Sequence, residues 1–205
     1  HLAHRHNLLF VMDCAQIAGI LPIDMMRDEI DIMCCAGHKG LMGPTGTGFL
    51  VLKDDIKLDT IIEGGTGSNS ANENQPENLP DRFESGTINT AGAISLGAGV
   101  DFVRSKGLDV IHNHEMRLCR RFYVELSKNP DVVLYTDYPD ERYAPVIPFN
   151  IRGLGSEETA QKLSSAGYCL RGGFQCAYPV HKKIGTHETG AVRFSPSVFS
   201  TMGET

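Results

Sequence analysis

Lys39 is the residue whose surroundings in this sequence most favour covalent chemistry. It follows His38 in a turn between two apolar runs, Ile32 to Cys35 and Phe49 to Leu52, with a glycine-rich loop after it. A lysine with small neighbours and little competing charge can be partly desolvated, which favours the neutral amine as a nucleophile or base. Schiff-base chemistry needs such an amine. A lysine in a glycine-rich loop is also typical of a solvated turn, so the role of Lys39 has to be judged from other residues.

The segments before Lys39 predict strands that would position it. An apolar strand from Asn7 to Met12 ends at Asp13, and the next strand opens at Asp31 after a connection long enough for a short crossover. In a parallel sheet, Asp13 and Lys39 both lie at carboxyl ends of strands, where α/β folds bind ligands. Asp13 by itself could equally be a strand-end or helix-capping carboxylate.

Six motifs follow one another along the chain. They are Asp13-x-x-Gln16, Gly37-His38-Lys39-Gly40-x-x-Gly43-Pro44-x-Gly46, Glu63-Gly64-Gly65-Thr66-Gly67-Ser68, Arg82-Phe83-Glu84-x-Gly86-Thr87-x-Asn89, Arg171-x-Gly173-x-x-Cys176-Ala177 and Val192-Arg193-x-Ser195. With these motifs the sequence resembles the class V, fold-type I pyridoxal phosphate (PLP) enzymes, in particular cysteine desulfurase-like proteins. The resemblance runs from about residue 2 to the end. It covers only the later part of the family's usual length, so we expect a chain that lacks the N-terminal part.

The resemblance implies PLP as cofactor and a set of residues that bind it. Asp13 would pair with the protonated ring nitrogen, Gln16 would hydrogen-bond the phenolic oxygen, and His38 would donate to the phosphate. Lys39 would carry the Schiff base. Ala36 stands where the family often has a serine, so one phosphate donor is missing.

Residues 63 to 90 have the composition of a long irregular loop, and such loops in compact domains are usually functional or disordered. By resemblance, Gly65 and Thr66 would cross a homodimer interface and contact the phosphate bound to the other subunit. The alternative is a flexible polar loop at the surface.

A second group of candidate residues lies near the end of the chain. Cys176 follows a predicted strand, Tyr168 to Arg171, in a loop whose basic neighbours favour a thiolate. The resemblance makes Cys176 the sulfur acceptor. By resemblance, Arg193 would bind the substrate carboxylate, with Arg171 as a second contact. The forked N–H groups of a guanidinium match the two oxygens of a carboxylate. Packing for Cys176 and a structural salt bridge for Arg193 are the alternatives.

The remaining cysteines and histidines predict no further site. We assign Cys14, Cys34, Cys35, Cys119 and Cys169 to packing within strands or helices. His181 and His187 could relay protons but are expected at the surface. No histidine pair has the spacing of a metal site, so no metal is predicted.

Composition excludes several classes of partner. The chain has 205 residues and a formal net charge of -6 at pH 7. That charge, without blocks of Lys or Arg, argues against nucleic acid or an anionic membrane surface. The apolar runs are only strand-sized and no signal peptide is visible, so we expect a cytoplasmic protein.

The predicted fold class is α/β. Residues 1–107 are expected to form the C-terminal part of a PLP-dependent transferase large domain, with a mostly parallel sheet and helices. Residues 108–205 are expected to form a smaller α+β domain. Its predicted elements are helices from Asp109 to Ser127 and Ser156 to Ser165, and strands Val132 to Tyr135, Val146 to Ile151, Tyr168 to Arg171 and Ala191 to Phe194.

The hypothesis from the resemblance is a PLP-dependent enzyme that removes sulfur or selenium from cysteine or selenocysteine. It would leave alanine, form a persulfide on Cys176 and pass sulfur to an acceptor protein. Another class V aminotransferase or lyase would keep Lys39 and Asp13 without needing Cys176. A catalytically inactive scaffold is the third possibility. Because the family's phosphate-binding turn lies earlier than this sequence, we expect the chain alone to bind PLP weakly or not at all.

Overall fold

A computed structural model describes residues 1–141 and 143–205 of the chain. These residues form two compact units, His1–Ser105 and Lys106–Thr205. Among the described residues, no helix is both long and apolar enough to cross a membrane.

The first unit is built on a three-stranded sheet. Its elements are helix α1 (Leu2–Arg5), strands β1 (Val11–Asp13), β2 (Ile32–Ala36) and β3 (Gly48–Leu52), and helix α2 (Thr90–Lys106), whose last residue belongs to the second unit. The strand order is β1-β2-β3. β1 runs parallel to β2, with Asp13 opposite Cys34. β3 runs antiparallel to β2, with Gly48 opposite Ala36.

This sheet corrects two expectations about residues 7 to 52. β3 is antiparallel because the connection from β2 carries no helix, whereas parallel strands need a crossover of about a dozen residues or more. β1 begins at Val11 and not at Asn7, because Asn7 has a left-handed backbone, with φ 53°. The predicted α/β class is confirmed, with a mixed sheet.

The core of the first unit lies under the carboxyl ends of β1 and β2. Its buried members are Cys14, Ala18, Cys35, Leu41 and Leu96. They come from the turn after β1, from β2, from the turn after β2 and from α2. Asn89 caps the N-terminus of α2, since its side-chain oxygen accepts a hydrogen bond from the Gly92 N–H at 3.0 Å. The burial of apolar groups from both turns therefore fixes the two turns against α2.

The second unit is an antiparallel sheet covered by helices. Its elements are α3 (Leu108–Leu126), β4 (Val132–Leu134), β5 (Ile147–Ile151), α4 (Ser156–Ser165), α5 (Tyr178–Lys183) and β6 (Val192–Phe194). The strand order is β4-β5-β6, and both pairs are antiparallel. Phe122 of α3 stacks on Phe194 of β6, with ring centroids 3.9 Å apart. The core of this unit lies between α3 and the sheet.

One predicted strand of the second unit is wrong. Between Tyr168 and Arg171 the chain forms no strand, and only Arg171 pairs, by an isolated bridge to Arg193. The segment after Cys176 is not all loop, as predicted, but contains α5. Pro179 lies in the first turn of α5, where a missing N–H costs no helical hydrogen bond.

Candidate active site

Lys39 lies in a closed turn just beyond the carboxyl end of β2. The N–H of Met42 donates to the Lys39 carbonyl at 2.9 Å, and the N–H of Gly43 donates to the Gly37 carbonyl at 2.8 Å. A third bond, from the Gly37 N–H to the Thr47 carbonyl at 2.9 Å, ties the turn to the start of β3. The side chains of His38 and Lys39 are exposed. The backbone of the turn is thus held while its lysine stays accessible.

Asp13 lies at the carboxyl end of the neighbouring strand. Its Oδ1 accepts a hydrogen bond from the Ala15 N–H at 2.9 Å, which orients the carboxylate against the following turn. Gln16 lies in that turn, and both side chains are exposed. Because β1 and β2 are parallel and adjacent, Asp13 and the Lys39 turn leave the sheet at the same edge.

The turns after β1 and β2 are in direct backbone contact. A Cβ added at Gly19 would lie 2.3 Å from the Gly40 carbonyl oxygen, and Gly19 has φ 83°. A Cβ added at Gly40 would lie 2.5 Å from the Ala18 carbonyl oxygen. Only glycine permits this approach at both positions. The contact brings the turn that carries Gln16 against the turn that carries His38 and Lys39.

Gly65 and Thr66 lie in a separate irregular segment of the first unit. The Gly65 carbonyl accepts from the Gly86 N–H at 3.1 Å, and the Thr66 hydroxyl is 2.7 Å from the Ser68 hydroxyl. Within the ranges that the structure covers, neither residue hydrogen-bonds to the Lys39 turn. The first unit therefore brings four of the six predicted cofactor residues to the two contacting turns, and no hydrogen bond of the described residues links Gly65 or Thr66 to the Lys39 turn.

The second unit presents Cys176 on a tight, left-handed loop. Cys176 is exposed and has φ 60°, and Gln175 before it has φ 44°. Such angles are uncommon outside glycine and cost roughly 1 kcal/mol or more per residue, so neighbouring contacts must hold the loop. The Gln175 amide supplies two of them, donating to the carbonyls of Arg171 at 3.2 Å and Ala191 at 2.9 Å.

Ser156 makes another contact that holds this loop, and sequence reasoning missed it. It is 2% exposed, its hydroxyl donates to the Thr189 carbonyl at 2.5 Å, and it accepts from the Gly173 N–H at 3.2 Å. It thus joins the start of α4 to the glycines before Cys176. A serine at a helix start is so common that its sequence carries no signal of this role.

The expectation that His181 lies at the surface is wrong. The side chain is in α5 and is only 4% exposed. Its Nδ1 lies 2.7 Å from the Thr186 hydroxyl and its Nε2 lies 3.1 Å from the Phe174 carbonyl oxygen. Both ring nitrogens therefore have partners inside the unit, which disfavours a proton relay through this histidine.

Of the five other cysteines, the packing assignment is confirmed for three, holds in part for Cys34 and fails for Cys169. Cys14, Cys35 and Cys119 are buried, and Cys34 is half-buried in β2. Burial raises the pKa of the Cys35 thiol to about 11 and that of the Cys119 thiol to about 12. Cys169 instead is exposed and lies outside any helix or strand. It is not a packing residue.

Arg171 and Arg193 form a pair of adjacent like charges. The Arg193 N–H donates to the Arg171 carbonyl at 2.9 Å across the bridge between them. Arg193 is half-buried between the buried residues Val192 and Phe194, and its Nε is buried without a hydrogen-bond partner. Burial, and then the charge of Arg171, lower the pKa of the Arg193 guanidinium. In the described part of the chain no carboxylate forms a salt bridge with either arginine.

The fold and these residues define a member of a known family. The chain belongs to the aminotransferase class-V family, whose model matches residues 1–204. This confirms the resemblance drawn from the six motifs.

The similar curated proteins include probable cysteine desulfurases. A probable cysteine desulfurase of Methanothermobacter thermautotrophicus is 34% identical over 209 residues, which cover 99% of this chain and 52% of the relative. One from Pyrococcus abyssi is 32% identical over 210 residues, with 99% and 51% covered. The chain therefore spans about half the length of the curated relatives it matches.

Solved structures of cysteine desulfurases have the same fold. An apo structure of the enzyme from Thermococcus onnurineus matches with a TM-score of 0.83 and 32% identity, covering 99% of this chain and 51% of that one. The Escherichia coli cysteine desulfurase CsdA, in an S-sulfonic acid form, matches with a TM-score of 0.88 and 25% identity, covering 99% and 50%.

Proposed function

We propose that this chain supplies the lysine and the sulfur-accepting cysteine of a PLP-dependent cysteine desulfurase. The observation that carries the proposal is the contact between the turns after β1 and β2, which places Asp13 and Lys39 at one edge of the sheet. The relatives and solved structures named cysteine desulfurase support the reaction: removal of sulfur or selenium from cysteine or selenocysteine, leaving alanine.

The side chains at this edge suit PLP. Lys39 offers an amine for the cofactor's aldehyde carbon, and Asp13 offers a carboxylate for its protonated ring nitrogen. Gln16 and His38 offer hydrogen-bond donors for the phenolic oxygen and the phosphate. When bound, PLP supplies an electron sink for the substrate's α-carbon. Since all four side chains are exposed, each is accessible to a cofactor.

Arg193 is the group that we assign to the substrate carboxylate, with Arg171 beside it. The Arg193 guanidinium is half-buried and, among the described residues, forms no salt bridge with a carboxylate, so its charge is available to an anion that a guanidinium fork can bind bidentately. The same charge would orient an amino acid by its α-carboxylate, leaving the side-chain sulfur free to react.

Lys39 and Cys176 perform the two chemical steps of the proposal. The Lys39 amine takes the proton from the substrate's α-carbon; as alanine forms, one proton is delivered to the β-carbon and one is returned to the α-carbon. The Cys176 thiolate attacks the substrate sulfur, so a new S–S bond forms as the C–S bond breaks and its electron pair stays with the β-carbon. The persulfide on Cys176 then passes its outer sulfur to an acceptor protein.

Assembly and location belong to the same proposal. Residues 1–107 would be part of the large cofactor domain and residues 108–205 the small domain. Gly65 and Thr66 would contact the cofactor of the other subunit in a cytoplasmic homodimer. Gly65 is exposed in this loop and accessible to a partner, which supports this role, while the half-buried Thr66 holds its hydroxyl 2.7 Å from that of Ser68.

The cofactor role is tested by trapping with borohydride. We expect the protein with its PLP to give a reduced adduct on Lys39 by mass spectrometry, and Lys39→Ala to lose both the adduct and alanine formation. Lys57→Ala, another exposed lysine of the first unit, is the matched control. Absence of any adduct on Lys39 would contradict the proposal and favour an inactive scaffold.

The sulfur role is tested at the cysteines. Cys176→Ser should retain the adduct on Lys39 but lose sulfide release from cysteine, whereas Cys169→Ser, also exposed, should keep both. A keto acid as product, with Cys176→Ser fully active, would show another class V reaction in place of desulfuration.

A further inference from the structure

A buried pair of residues lies behind the loop that carries Cys176. Thr186 is 1% exposed and His181 is 4% exposed. The carbonyl of Phe174 can only accept, so the His181 Nε2, at 3.1 Å, donates to it. A ring protonated only at Nε2 accepts at its Nδ1 from the Thr186 hydroxyl, 2.7 Å away. The two partners thus select one tautomer of the imidazole.

The carbonyl that His181 holds is the one just before the left-handed pair Gln175 and Cys176. The same carbonyl accepts from the Ala177 N–H at 2.8 Å, so it joins both sides of the cysteine. The Phe174 ring also packs edge-on against the His181 ring, with centroids 5.4 Å apart. His181 therefore restrains the residues on either side of Cys176, and among the described residues it forms no hydrogen bond to the thiol itself.

Thr186 is itself fixed by the backbone. Its N–H donates to the His181 carbonyl at 2.8 Å, and its own carbonyl accepts from the Gly190 N–H at 2.8 Å. The hydroxyl is thus presented to the imidazole by a chain segment that leads directly into β6 and Arg193. Thr186 and Phe174 thus hold the His181 ring from both sides, and the ring in turn restrains the loop that carries Cys176.

We propose that Thr186 and His181 are positioning residues for Cys176: through the Phe174 carbonyl they fix the left-handed loop from which the thiolate attacks. The inference rests on the proposed function for the attack, while the restraint on the loop can be measured independently.

The test compares Thr186→Val with Thr186→Ser in the whole protein with its PLP. Valine keeps the volume but leaves the His181 Nδ1 without its hydrogen-bond partner, and serine retains the hydroxyl. For Thr186→Val we expect about a tenfold lower kcat for alanine formation from cysteine, because one buried hydrogen bond is lost, with an unchanged KM. Thr186→Ser should remain close to the unsubstituted protein. Deuterium uptake over residues 174–177 should rise in Thr186→Val only.

Other outcomes would overturn the inference. Unchanged kcat and uptake in Thr186→Val would show that the pair does not hold the loop. Equal losses in the valine and serine variants, or a KM that rises with the fall in kcat, would indicate a general packing defect. If Cys176→Ser retains full turnover, the sulfur role is wrong, and the deuterium uptake alone then decides whether Thr186 and His181 fix the loop.

Discussion

Glu115 is a buried carboxyl group whose charge should make the second unit less stable at neutral pH. It lies on α3, is 2% exposed, accepts a hydrogen bond from the Val198 backbone N–H, and has no partner for its Oε2 among the described residues. Burial raises the pKa of this carboxyl from 4.5 to about 7. At roughly 1.4 kcal/mol per pH unit, this rise corresponds to about 3 kcal/mol.

The sign follows from proton binding. The folded state holds the proton more tightly than the unfolded state, so the free energy of unfolding falls as the pH rises from about 4.5 to about 7. Below that window the carboxyl is protonated in both states, and above it the carboxyl is charged in both. The full penalty of burying the charge is therefore present above pH 7.

Glu115→Gln tests this reasoning, because glutamine has a similar shape, keeps an acceptor for Val198 and never ionises. We expect nearly equal stability of the two proteins near pH 4.5, and about 3 kcal/mol greater stability of Glu115→Gln at pH 8. Urea unfolding of both proteins across this range measures the difference, in which all other titrating groups cancel. A difference that does not change with pH, or that grows on acidification, would refute the argument.

Two further predictions concern the first unit. Asp31→Asn should lower the urea midpoint at pH 7 more than Asp28→Asn. Asp31 is buried and its carboxylate accepts from His4, Lys53 and the Phe10 N–H, each at 2.7 Å, whereas Asp28 pairs with Arg27 at the surface. The Lys53, Phe10 and His4 bonds hold the pKa of Asp31 well below its usual range, so the Asp31→Asn defect should shrink below about pH 4. Gly19→Ala should lower the free energy of unfolding by more than about 1 kcal/mol and reduce PLP incorporation, because its Cβ would meet the Gly40 carbonyl. Gly46→Ala is the control, with φ 78° but no atom within 4 Å, and equal effects of the two substitutions would contradict the role of the contact.

The first half of the candidate site could be predicted from the sequence because it depends on local patterns. Apolar runs ending in Asp13 and leading into His38-Lys39 predicted strand ends, and the parallel pairing of β1 and β2 puts both ends at one edge. The direction of β3 could not be predicted, since it depends on whether the glycine-rich connection crosses the sheet or folds back. The backbone contact between Gly19 and Gly40 likewise joins distant parts of the chain.

The surroundings of Cys176 were harder to predict because they depend on burial. His181 is followed by Lys182 and Lys183, a pattern typical of a solvated helix face, yet its ring is inside the unit. The strand predicted from the apolar pattern at Tyr168 to Arg171 does not form, because only Arg171 pairs with β6, by a single bridge. Cys169 is exposed for the same reason, because no strand forms there to bury it.

The Arg171 and Arg193 pair has a practical consequence for enzymology. Under the proposed function, two guanidinium groups on bridged residues would also attract other small anions, since two oxygens of sulfate or phosphate can pair with a guanidinium as the two oxygens of a carboxylate do. We expect such buffer salts to behave as competitive inhibitors. Michaelis constants measured in sulfate, phosphate and chloride would then differ, and only a series extrapolated to low salt would rank one amino acid against another.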